Sequence, residues 1–328
     1  MESTSIPAMS NPPIETTANL RASVVICTYN RQGDTRRTLE SFRQISNPPA
    51  SAWELILVDN NSSDNTREVV AQFQSALPLR YCFEKEPGKS RALNHGIEIA
   101  QGTLIVVTDD DVNVTSNWLE SYILAAERHP EVSFFGGRVL PHWARNPPRW
   151  VSENVRWLRI NPHVDEGEEE ILLEPGTPPY FIGANMAFRR AVFDSGVRFG
   201  EHLGPRPDSP GGGDEIDVER RLLARGEKGL YVPDAVVYHR HPANRMTEDY
   251  LRKYYEAEGI FRAQHEDLPG PRWFGVPRYL WREAAQTGIA YCMLRFLGPA
   301  KAWLKAEIRF ALAAGTIKGL LNIKNRTG

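Results

Sequence analysis

Two apolar runs with the spacing of a β-α-β unit constrain the fold of this chain most. Residues 22–28, ASVVICT, and residues 54–59, ELILVD, are continuous and rich in β-branched side chains, which is typical of strands buried on both faces. The runs end 31 residues apart, at Thr28 and Asp59, with an amphipathic segment at about 34–46 between them. This spacing predicts a parallel pair of strands with a right-handed crossover helix.

The same alternation continues along the first third of the chain. A helix at 64–75, a strand at 79–84, a helix at about 88–100 and a strand at 103–108 are predicted from their patterns. Four strands with intervening helices predict an α/β fold with a doubly wound, mostly parallel sheet flanked by helices. Ligands of such sheets lie beyond the carboxyl ends of the strands, so chemistry is expected directly after each apolar run.

The rest of the chain is less regular. Residues 141–180 are rich in Pro and Trp and lack periodicity, so we expect a long insertion over one end of the sheet. From 246 to the end the pattern predicts helices with Gly and Pro between them. Three further elements are predicted, and they are a strand at 181–188, a helix at 214–225 and a pair of strands at 229–238 that is broken at Pro233.

The composition excludes several classes of protein. The 328 residues include 39 Lys and Arg and 41 Asp and Glu, and a net charge of −2 argues against a nucleic-acid partner. With 41% hydrophobic and 24% charged residues, the chain is globular rather than disordered or fibrous. Cys27, Cys82 and Cys292 are far apart and predict neither disulfides nor a zinc site, which favours a cytoplasmic protein.

The two ends of the sequence raise the question of membrane contact. Residues 1–20 are polar and interrupted by Pro, so we expect a disordered tail rather than a secretory signal. No stretch has the roughly 18 uncharged apolar residues of a transmembrane helix. Residues 279–321 interleave aromatic and basic side chains, which is typical of helices at a membrane interface and equally of helices that pack on the α/β domain or form a homodimer. A peripheral contact with the cytoplasmic membrane therefore stays open.

Three consecutive carboxylates follow the fourth predicted strand. Asp109, Asp110 and Asp111 cannot all be ionised together without a partner, because like charges raise one another's pKa. Side chains alternate along an extended segment, so Asp109 and Asp111 should point to one side and Asp110 to the other. Two such oxygen ligands suit Mg²⁺ or Mn²⁺, which keep water and phosphate in the remaining positions. A solvated acidic turn is the alternative, and the location at a strand end favours the metal.

Two further polar sites lie near the same predicted edge. Asp59 either forms a local turn or accepts hydrogen bonds from a base or ribose. Lys89 and Arg91 follow Gly88 at a predicted helix start, which suits a diphosphate, although a solvated Lys/Arg pair shows the same pattern. The first Gly of a Walker A loop is missing, which excludes a P-loop ATPase.

The last two candidate groups lie in the second half of the chain. Asp214 and Glu215 follow three glycines at a predicted helix start, where the helix dipole favours the ionised form that a general base needs; ordinary helix charge is the alternative. His239 and His241 follow the last predicted strand and would ligate a metal or bind phosphate. No third soft ligand lies within sequence reach, which argues against zinc.

Seven blocks of sequence, in order, resemble the family 2 glycosyltransferases, which are nucleotide-sugar-dependent enzymes of the GT-A fold. The blocks are VVICTYNR, ELILVDNNSSDNT, GKSRALNHGI, TDDDV, GANMAFRR, GGGDEIDVERRL and DAVVYHRHP, within about residues 22–245. The resemblance implies a GT-A catalytic domain at 21–245, with a nucleotide-binding half at 21–112 and an acceptor half at 113–245. Residues 246–328 would form a helical C-terminal extension.

The resemblance also implies a role for each candidate residue. Asp109, Asp110 and Asp111 match the family's Asp-x-Asp motif, with Asp109 toward the donor ribose and the metal, Asp110 in the donor site, and Asp111 on the metal. His239 or His241 would complete the metal or diphosphate site. The remaining donor-site residues would be Thr28, Asn30, Arg31 and Asp59 at the base and ribose, Lys89 and Arg91 near the ribose and diphosphate, and Asn185 facing the sugar or acceptor.

The implied reaction is metal-dependent, inverting transfer of a sugar from a nucleotide-diphosphate sugar to a hydroxyl of a glycan or lipid-linked acceptor, in polysaccharide or glycan assembly. The family typically has Glu-Asp where this chain has Asp214-Glu215, so alignment favours Glu215 as the base and leaves Asp214 as the alternative. A sugar nucleotidyltransferase would need a Gly-rich signature that VVICTYNR lacks. A catalytically inactive nucleotide-sugar-binding scaffold is the remaining alternative, because the Asp214-Glu215 pair differs from the family's Glu-Asp.

Overall fold

The computed structural model describes residues 20–45, 48, 52–158, 160, 162–178, 181–201, 203–204 and 212–327. Most of the predicted N-terminal tail, residues 1–19, therefore lies outside the described residues. Leu20, the last residue of that predicted tail, is buried, and its carbonyl accepts a hydrogen bond from the backbone N–H of Thr103 at 3.1 Å. Leu20 thus belongs to the α/β fold.

The first four strands form a parallel half of the sheet. They are β1 (Ala22–Thr28), β2 (Trp53–Asp59), β3 (Leu79–Phe83) and β4 (Leu104–Asp109). β1 pairs in parallel with β2 and β4, and β2 pairs in parallel with β3, so the carboxyl ends of all four strands lie at one edge. Every residue of β2 is buried, which explains its continuous apolar sequence.

Three helices connect these strands, α1 (Gln32–Phe42), α2 (Thr66–Ala71) and α3 (Lys89–Ile99). Gly96 lets α3 pack directly on the sheet, because a Cβ there would lie 2.5 Å from Val25 Cγ1 and 3.0 Å from Val58 Cγ2. Strand, helix and strand alternate as the sequence predicts, and the doubly wound α/β prediction is confirmed.

The second half of the sheet mixes strand directions. Its strands are β5 (Val112–Val114), β6 (Val132–Trp143), β7 (Ile171–Leu173), β8 (Asn185–Arg189) and β9 (Lys228–His241). β8 is antiparallel to β4 and β6, whereas β9 is parallel to β6 and antiparallel to β5 and β7. The order is β3-β2-β1-β4-β8-β6-β9-β5 with β7 beside β9, so β1–β9 form one continuous sheet.

The sequence prediction lacks β5, β6 and β7, and it divides β9 into two strands. β9 is one continuous strand, and the predicted break at Pro233 is wrong: the chain passes Pro233 with a register shift opposite Gly137 and Arg138 of β6. β6 was not predicted at all, because Gly136 and Gly137 interrupt its apolar pattern. These glycines are needed for close packing, since a Cβ at Gly136 would lie 2.0 Å from the Phe181 ring.

The segment 141–180 begins inside a strand, because β6 continues to Trp143. It then contains the short helix α5 (Arg149–Ser152), a 3₁₀ turn and β7, which lies beside β9. The helices that complete the α/β domain are α4 (Trp118–Arg128), α6 (Arg190–Asp194) and α7 (Asp214–Ala224).

The C-terminal part is helical, as predicted. Its helices are α8 (Glu248–His265), α9 (Arg278–Leu297) and α10 (Ala300–Thr327), and a hairpin of β10 (Arg272–Trp273) and β11 (Val276–Pro277) precedes α9. Leu251 and Tyr255 of α8 and Leu304 of α10 belong to a hydrophobic cluster separate from the core of the sheet. Among the described residues, no helix is both long enough and apolar enough to cross a membrane.

Candidate active site

A cavity of about 410 Å³ opens at the carboxyl ends of β1 and β4. The parallel pairing of β1 with β4 places Cys27 opposite Asp109, so the Thr28–Arg31 turn faces the acidic triplet. Among the residues proposed from sequence, those that line the cavity are Thr28, Arg31, Lys89, Asp109, Asp110, Asp111 and His239. The structure therefore brings together residues that are more than 200 positions apart in the sequence.

Asp109, Asp111 and His239 form a cluster that could hold a metal ion. Each offers one ligand atom, and the three atoms lie within 4.8 Å of one another. β9 supplies the histidine, because His239 pairs directly with Val112 of β5, the residue that follows Asp111. Two carboxylates and one imidazole are a donor set that suits Mn²⁺ or Mg²⁺.

The surroundings of the Asp111 carboxylate indicate that these three residues fit a cation. Its Oδ1 is buried, lies 3.1 Å from His239 Nε2 and takes part in no hydrogen bond among the described residues. Two ligand atoms this close, yet not aligned as a hydrogen bond, suit a shared cation. Although burial opposes ionisation, the adjacent His239 and Arg31 hold the pKa of Asp111 well below its usual range, so it is an anionic ligand.

Arg31 bridges the carboxylates of Asp110 and Asp111. Its Nη1 donates to Asp110 Oδ1 at 2.6 Å, and its Nη2 donates to Asp111 Oδ2 at 2.8 Å. Thr28 Oγ1 also donates to Asp110, at 2.8 Å. Burial raises the pKa of Asp110 to about 6 even though Arg31 opposes this shift. Asp110 thus contacts Thr28 and Arg31, while Asp109 and Asp111 belong to the three-residue cluster.

Lys89, the first residue of α3, extends the positive charge of the cavity. Gly88 precedes it with φ 141°, a conformation that favours glycine, and the Gly88 N–H donates to Asn60 Oδ1 at 2.7 Å. The Lys89 ammonium lies 2.5 Å from Asp109 Oδ1. Burial alone would lower the pKa of Lys89, but Asp109, Asp214 and Glu215 raise it above its usual range, so it is fully charged.

Asp214 and Glu215 begin α7, after Gly213 in the left-handed region. Asp214 is buried, and its Oδ2 accepts a hydrogen bond from Ser90 Oγ at 3.0 Å. Glu215 is only partly buried. Burial and the adjacent Asp214 raise the pKa of Glu215 to about 8. The starts of α3 and α7 therefore meet beside the cavity.

Gly183 lies between the Lys89 ammonium and the Glu215 carboxyl group. A Cβ on Gly183 would lie 3.8 Å from Lys89 Nζ and 4.0 Å from Glu215 Cδ. Glu215 and the Lys89 ammonium, which contacts Asp109, therefore border the same space.

The structure overturns the prediction that Asn185 faces the sugar or the acceptor. Its Oδ1 accepts hydrogen bonds from Trp118 Nε1 and Tyr122 Oη, both at 2.8 Å. Its Nδ2 donates to the carbonyls of Arg138 at 3.0 Å and Ala235 at 2.7 Å. The side chain is buried and fully satisfied, so Asn185 joins α4, β6 and β9 in the core.

Two residues expected to contact the nucleotide shape the loops around the cavity. Asp59 Oδ1 accepts from the Ser62 N–H and Oδ2 accepts from Tyr81 Oη, both at 2.9 Å, so Asp59 forms the local turn that was one of its two predicted roles. Asn30 Oδ1 accepts from the Ser63 N–H at 2.7 Å. Neither residue lines the cavity.

Arg91 and His241 lie away from the place that the sequence suggested. Arg91 donates to Glu201 at 2.7 Å and does not line the cavity. His241 is buried behind His239, with ring centroids 4.9 Å apart, and it packs against Trp143 at 4.8 Å. Burial and the adjacent His239 lower the pKa of His241 to about 3, so it is neutral. His239, and not His241, belongs to the three-residue cluster.

Sequence reasoning missed several residues of this site. Tyr29, Asn60 and Arg245 line the cavity. Tyr29 and Asn60 directly follow two of the apolar runs, and this position in the sequence could have identified them. Arg240 positions the acidic turn: its N–H donates to the Asp111 carbonyl at 2.9 Å, and its Nη1 donates to the Val112 carbonyl at 2.7 Å. Nothing in its sequence position indicated this role.

Comparison with known proteins decides the family. The sequence model described as Glycosyl transferase family 2 matches residues 23–196, more than half of the chain. The chain belongs to glycosyl transferase family 2. The resemblance drawn from the seven blocks is confirmed, and this family 2 protein is a glycosyltransferase.

Two curated relatives and one solved structure agree with this assignment. The family 2 protein is 26% identical to the glucosyl-dolichyl phosphate glucuronosyltransferase of Haloferax volcanii, over 71% of this chain and 73% of that protein. It is 25% identical to the O-antigen chain rhamnosyltransferase WbaN of Salmonella anatum, over 74% and 72%. The mannosyltransferase PcManGT from Pyrobaculum calidifontis, solved with GDP-Man and Mn²⁺, matches with a TM-score of 0.60 at 19% identity, over 93% of this chain and 88% of that chain. The GT-A fold is thereby confirmed.

Proposed function

We propose that this glycosyltransferase moves a sugar from a nucleoside-diphosphate sugar to an acceptor hydroxyl, with inversion at the anomeric carbon, in glycan or polysaccharide assembly. One observation carries the proposal: the Asp109, Asp111 and His239 cluster lies next to Lys89, with Glu215 across the same space. The relatives named for glycan and lipid-linked sugar transfer support the pathway class. A cytoplasmic location belongs to the proposal, because all three cysteines are free.

Asp109, Asp111 and His239 would hold Mg²⁺ or Mn²⁺, which would supply positive charge for a departing diphosphate. Lys89 and Arg31 add two fixed positive charges at the same cavity. Charge placed where negative charge develops lowers the barrier of a displacement reaction, because no solvent has to reorganise when the bond breaks. We propose that binding of the diphosphate and stabilisation of its release are the work of these five residues.

Glu215 is the proposed general base. An acceptor oxygen would attack the anomeric carbon and lose its proton to the carboxylate, while the bond from that carbon to the phosphate oxygen breaks and the nucleoside diphosphate leaves. A raised pKa makes Glu215 a stronger base than an ordinary carboxylate once it is ionised. Asp214 is less suited, because it is buried and accepts a hydrogen bond from Ser90.

A binding and turnover experiment tests the proposal. Calorimetric titration of the full chain with UDP and GDP, each with and without Mn²⁺, should show binding of one nucleotide that requires the metal. Asp111→Ala should lose this binding, and Asp249→Ala, which removes an exposed aspartate of α8, should keep it. Metal-independent binding would contradict the proposed role of the cluster.

Turnover assays distinguish the competing functions. A glycosyltransferase releases nucleoside diphosphate from a nucleotide sugar, and Glu215→Gln should bind the donor without this turnover. A sugar nucleotidyltransferase would instead consume a nucleoside triphosphate and a sugar phosphate. Binding of nucleotide sugar with no turnover of any donor, in the wild type as well, would favour the inactive scaffold.

A further inference from the structure

One face of α9 carries large apolar side chains that no other described residue of the chain covers. Phe296 is 87% exposed, and Ile289 and Met293 are 62% and 63% exposed. These three residues are spaced by four and three positions, which places them on one line along the helix. Exposure of this many large apolar groups along one line is unusual for a protein surface and marks a contact surface.

The same line continues into positive charge at the start of the helix. Arg278 and Arg282 are exposed, and they precede Ile289 by about three turns and two turns. The Arg278 guanidinium lies 4.9 Å from the Trp273 ring of the preceding hairpin, whose turn residue Phe274 is 78% exposed. A cavity of about 540 Å³ between the hairpin and the helix is lined by Pro271, Trp273, Arg278, Tyr279, Trp281 and Arg282.

The charge of this region selects the partner. From Leu268 to Ala306 the sequence has six Lys or Arg residues and one acidic residue, Glu283. Glu283 itself lies 3.6 Å from Arg309 of α10. If a second copy docked through the same face, that face would supply no carboxylate to pair with Arg278 and Arg282. An anionic lipid surface offers phosphates to the arginines and an apolar layer to the remaining residues.

We propose that α9 lies flat in the interface of an anionic membrane, with Phe296, Met293 and Ile289 below the headgroups and Arg278 and Arg282 at the lipid phosphates. Tryptophan and tyrosine rings favour the headgroup level, which matches the aromatic lining next to the two arginines. The helix binds along the surface and does not cross it, because its other side packs on α10.

The docked face is tied to the active-site cavity. Arg295 of α9 donates to Glu248 Oε1 at 2.8 Å, and Glu248 is the first residue of α8. Arg245, three residues before Glu248, lines the cavity. Docking would therefore hold the cavity near the lipid surface. If the proposed sugar transfer is correct, on which this step rests, the acceptor is a hydroxyl of a lipid-linked molecule in that membrane.

Vesicle flotation of the full chain tests the inference. Wild type should float with vesicles of phosphatidylcholine and phosphatidylglycerol. Phe296→Glu should weaken this binding about tenfold or more, because it removes one large apolar group that would be buried in the membrane. Arg282→Gln should weaken it roughly fivefold on anionic vesicles and have no effect on phosphatidylcholine alone, since one charge is lost. Leu124→Glu, at a 42% exposed leucine of α4, is the matched control and should bind as wild type does.

Three results would overturn the inference. They are absence of wild-type binding to anionic vesicles, equal binding by Phe296→Glu and wild type, and a dimer in light scattering that Phe296→Glu converts to a monomer. Circular dichroism and thermal unfolding of each variant verify that the fold is kept. Mn²⁺-dependent nucleotide binding, measured on the same samples, separates the two proposals: if it persists while flotation fails, only the membrane inference is wrong, and the opposite pattern contradicts only the proposed function.

Discussion

The ammonium group of Lys89 lies 2.5 Å from the Oδ1 of Asp109 and so joins the start of α3 to the end of β4. The same ammonium feels the negative charge of Asp214 and Glu215 at the start of α7. Lys89 is therefore the electrostatic link between the cluster proposed to bind the metal and the pair proposed to supply the base. A change of charge in either group should therefore alter the electrostatic environment of the other.

Asp111→Ala should weaken Mn²⁺ binding by about a hundredfold or more, since a direct ligand contributes more than the roughly tenfold to hundredfold of an outer-shell partner. Manganese binding followed by electron paramagnetic resonance measures this directly. Asp249→Ala is the control for loss of one negative charge. Equal affinity in Asp111→Ala and wild type would remove Asp111 from the metal site.

Glu215→Gln should lower kcat by about 10² to 10⁴, the usual contribution of a general base. Wild-type kcat/KM should rise with pH up to about 8, because the Glu215 pKa is raised to about 8 and only the ionised carboxylate accepts a proton. The variant should lack this rise. Asp214→Asn tests the alternative base, and a larger loss there than in Glu215→Gln would reverse the assignment.

Glu215 should also make the fold less stable at high pH. Because its pKa is raised from 4.5 to about 8 in the folded state, the folded protein binds more protons than the unfolded chain between these values, so stability falls as the pH rises through this window. Glu215→Gln should therefore unfold at a higher temperature than wild type at pH 9, and at nearly the same temperature at pH 4. A variant with no stability gain at pH 9 would show that the carboxyl is not held protonated by its surroundings.

His239 and His241 should differ in their effect on metal binding. His239→Phe removes a member of the cluster and should abolish Mn²⁺ binding, whereas His241→Phe keeps a ring against Trp143 and should retain most of it. Calorimetric titration of both variants makes the comparison. Loss of binding in His241→Phe, with the fold intact, would place His241 among the ligands.

Asn185→Ala should destabilise the protein without affecting donor binding. It removes four side-chain hydrogen bonds and leaves buried groups of Trp118 and Tyr122 without this partner, at about 1 to 3 kcal/mol for each unsatisfied group. Urea unfolding measures the loss. A fall in nucleotide-sugar affinity at unchanged stability would instead support a role at the substrate.

The parts of the fold that local sequence determines were predictable. β1, β2 and β4 are buried on both faces, so each had to be a continuous apolar run, and the polar residues directly after them line the cavity. β6 was not predictable, because its two glycines are required by Phe181 and Asn185, which are far away in sequence.

The site residues divide in the same way. Asp109 and Asp111 could be identified because they lie at the end of a buried strand and directly after it, where ligands of such sheets bind. Asn185 could not be excluded as a ligand, because its four partners come from α4, β6 and β9 and only tertiary packing reveals them. The role of Arg240 depends on the pairing of β5 with β9, which no local pattern specifies.

The unbroken hydrogen bonding from β3 through to β5 has a mechanical consequence. Because β4 and β8 are hydrogen-bonded to each other, the two halves of the sheet cannot separate as independent bodies without breaking that ladder. Movements that admit substrate and release product should therefore occur in the loops at the edge of the sheet. Turnover should respond more to substitutions in these loops than to substitutions between the two halves of the sheet.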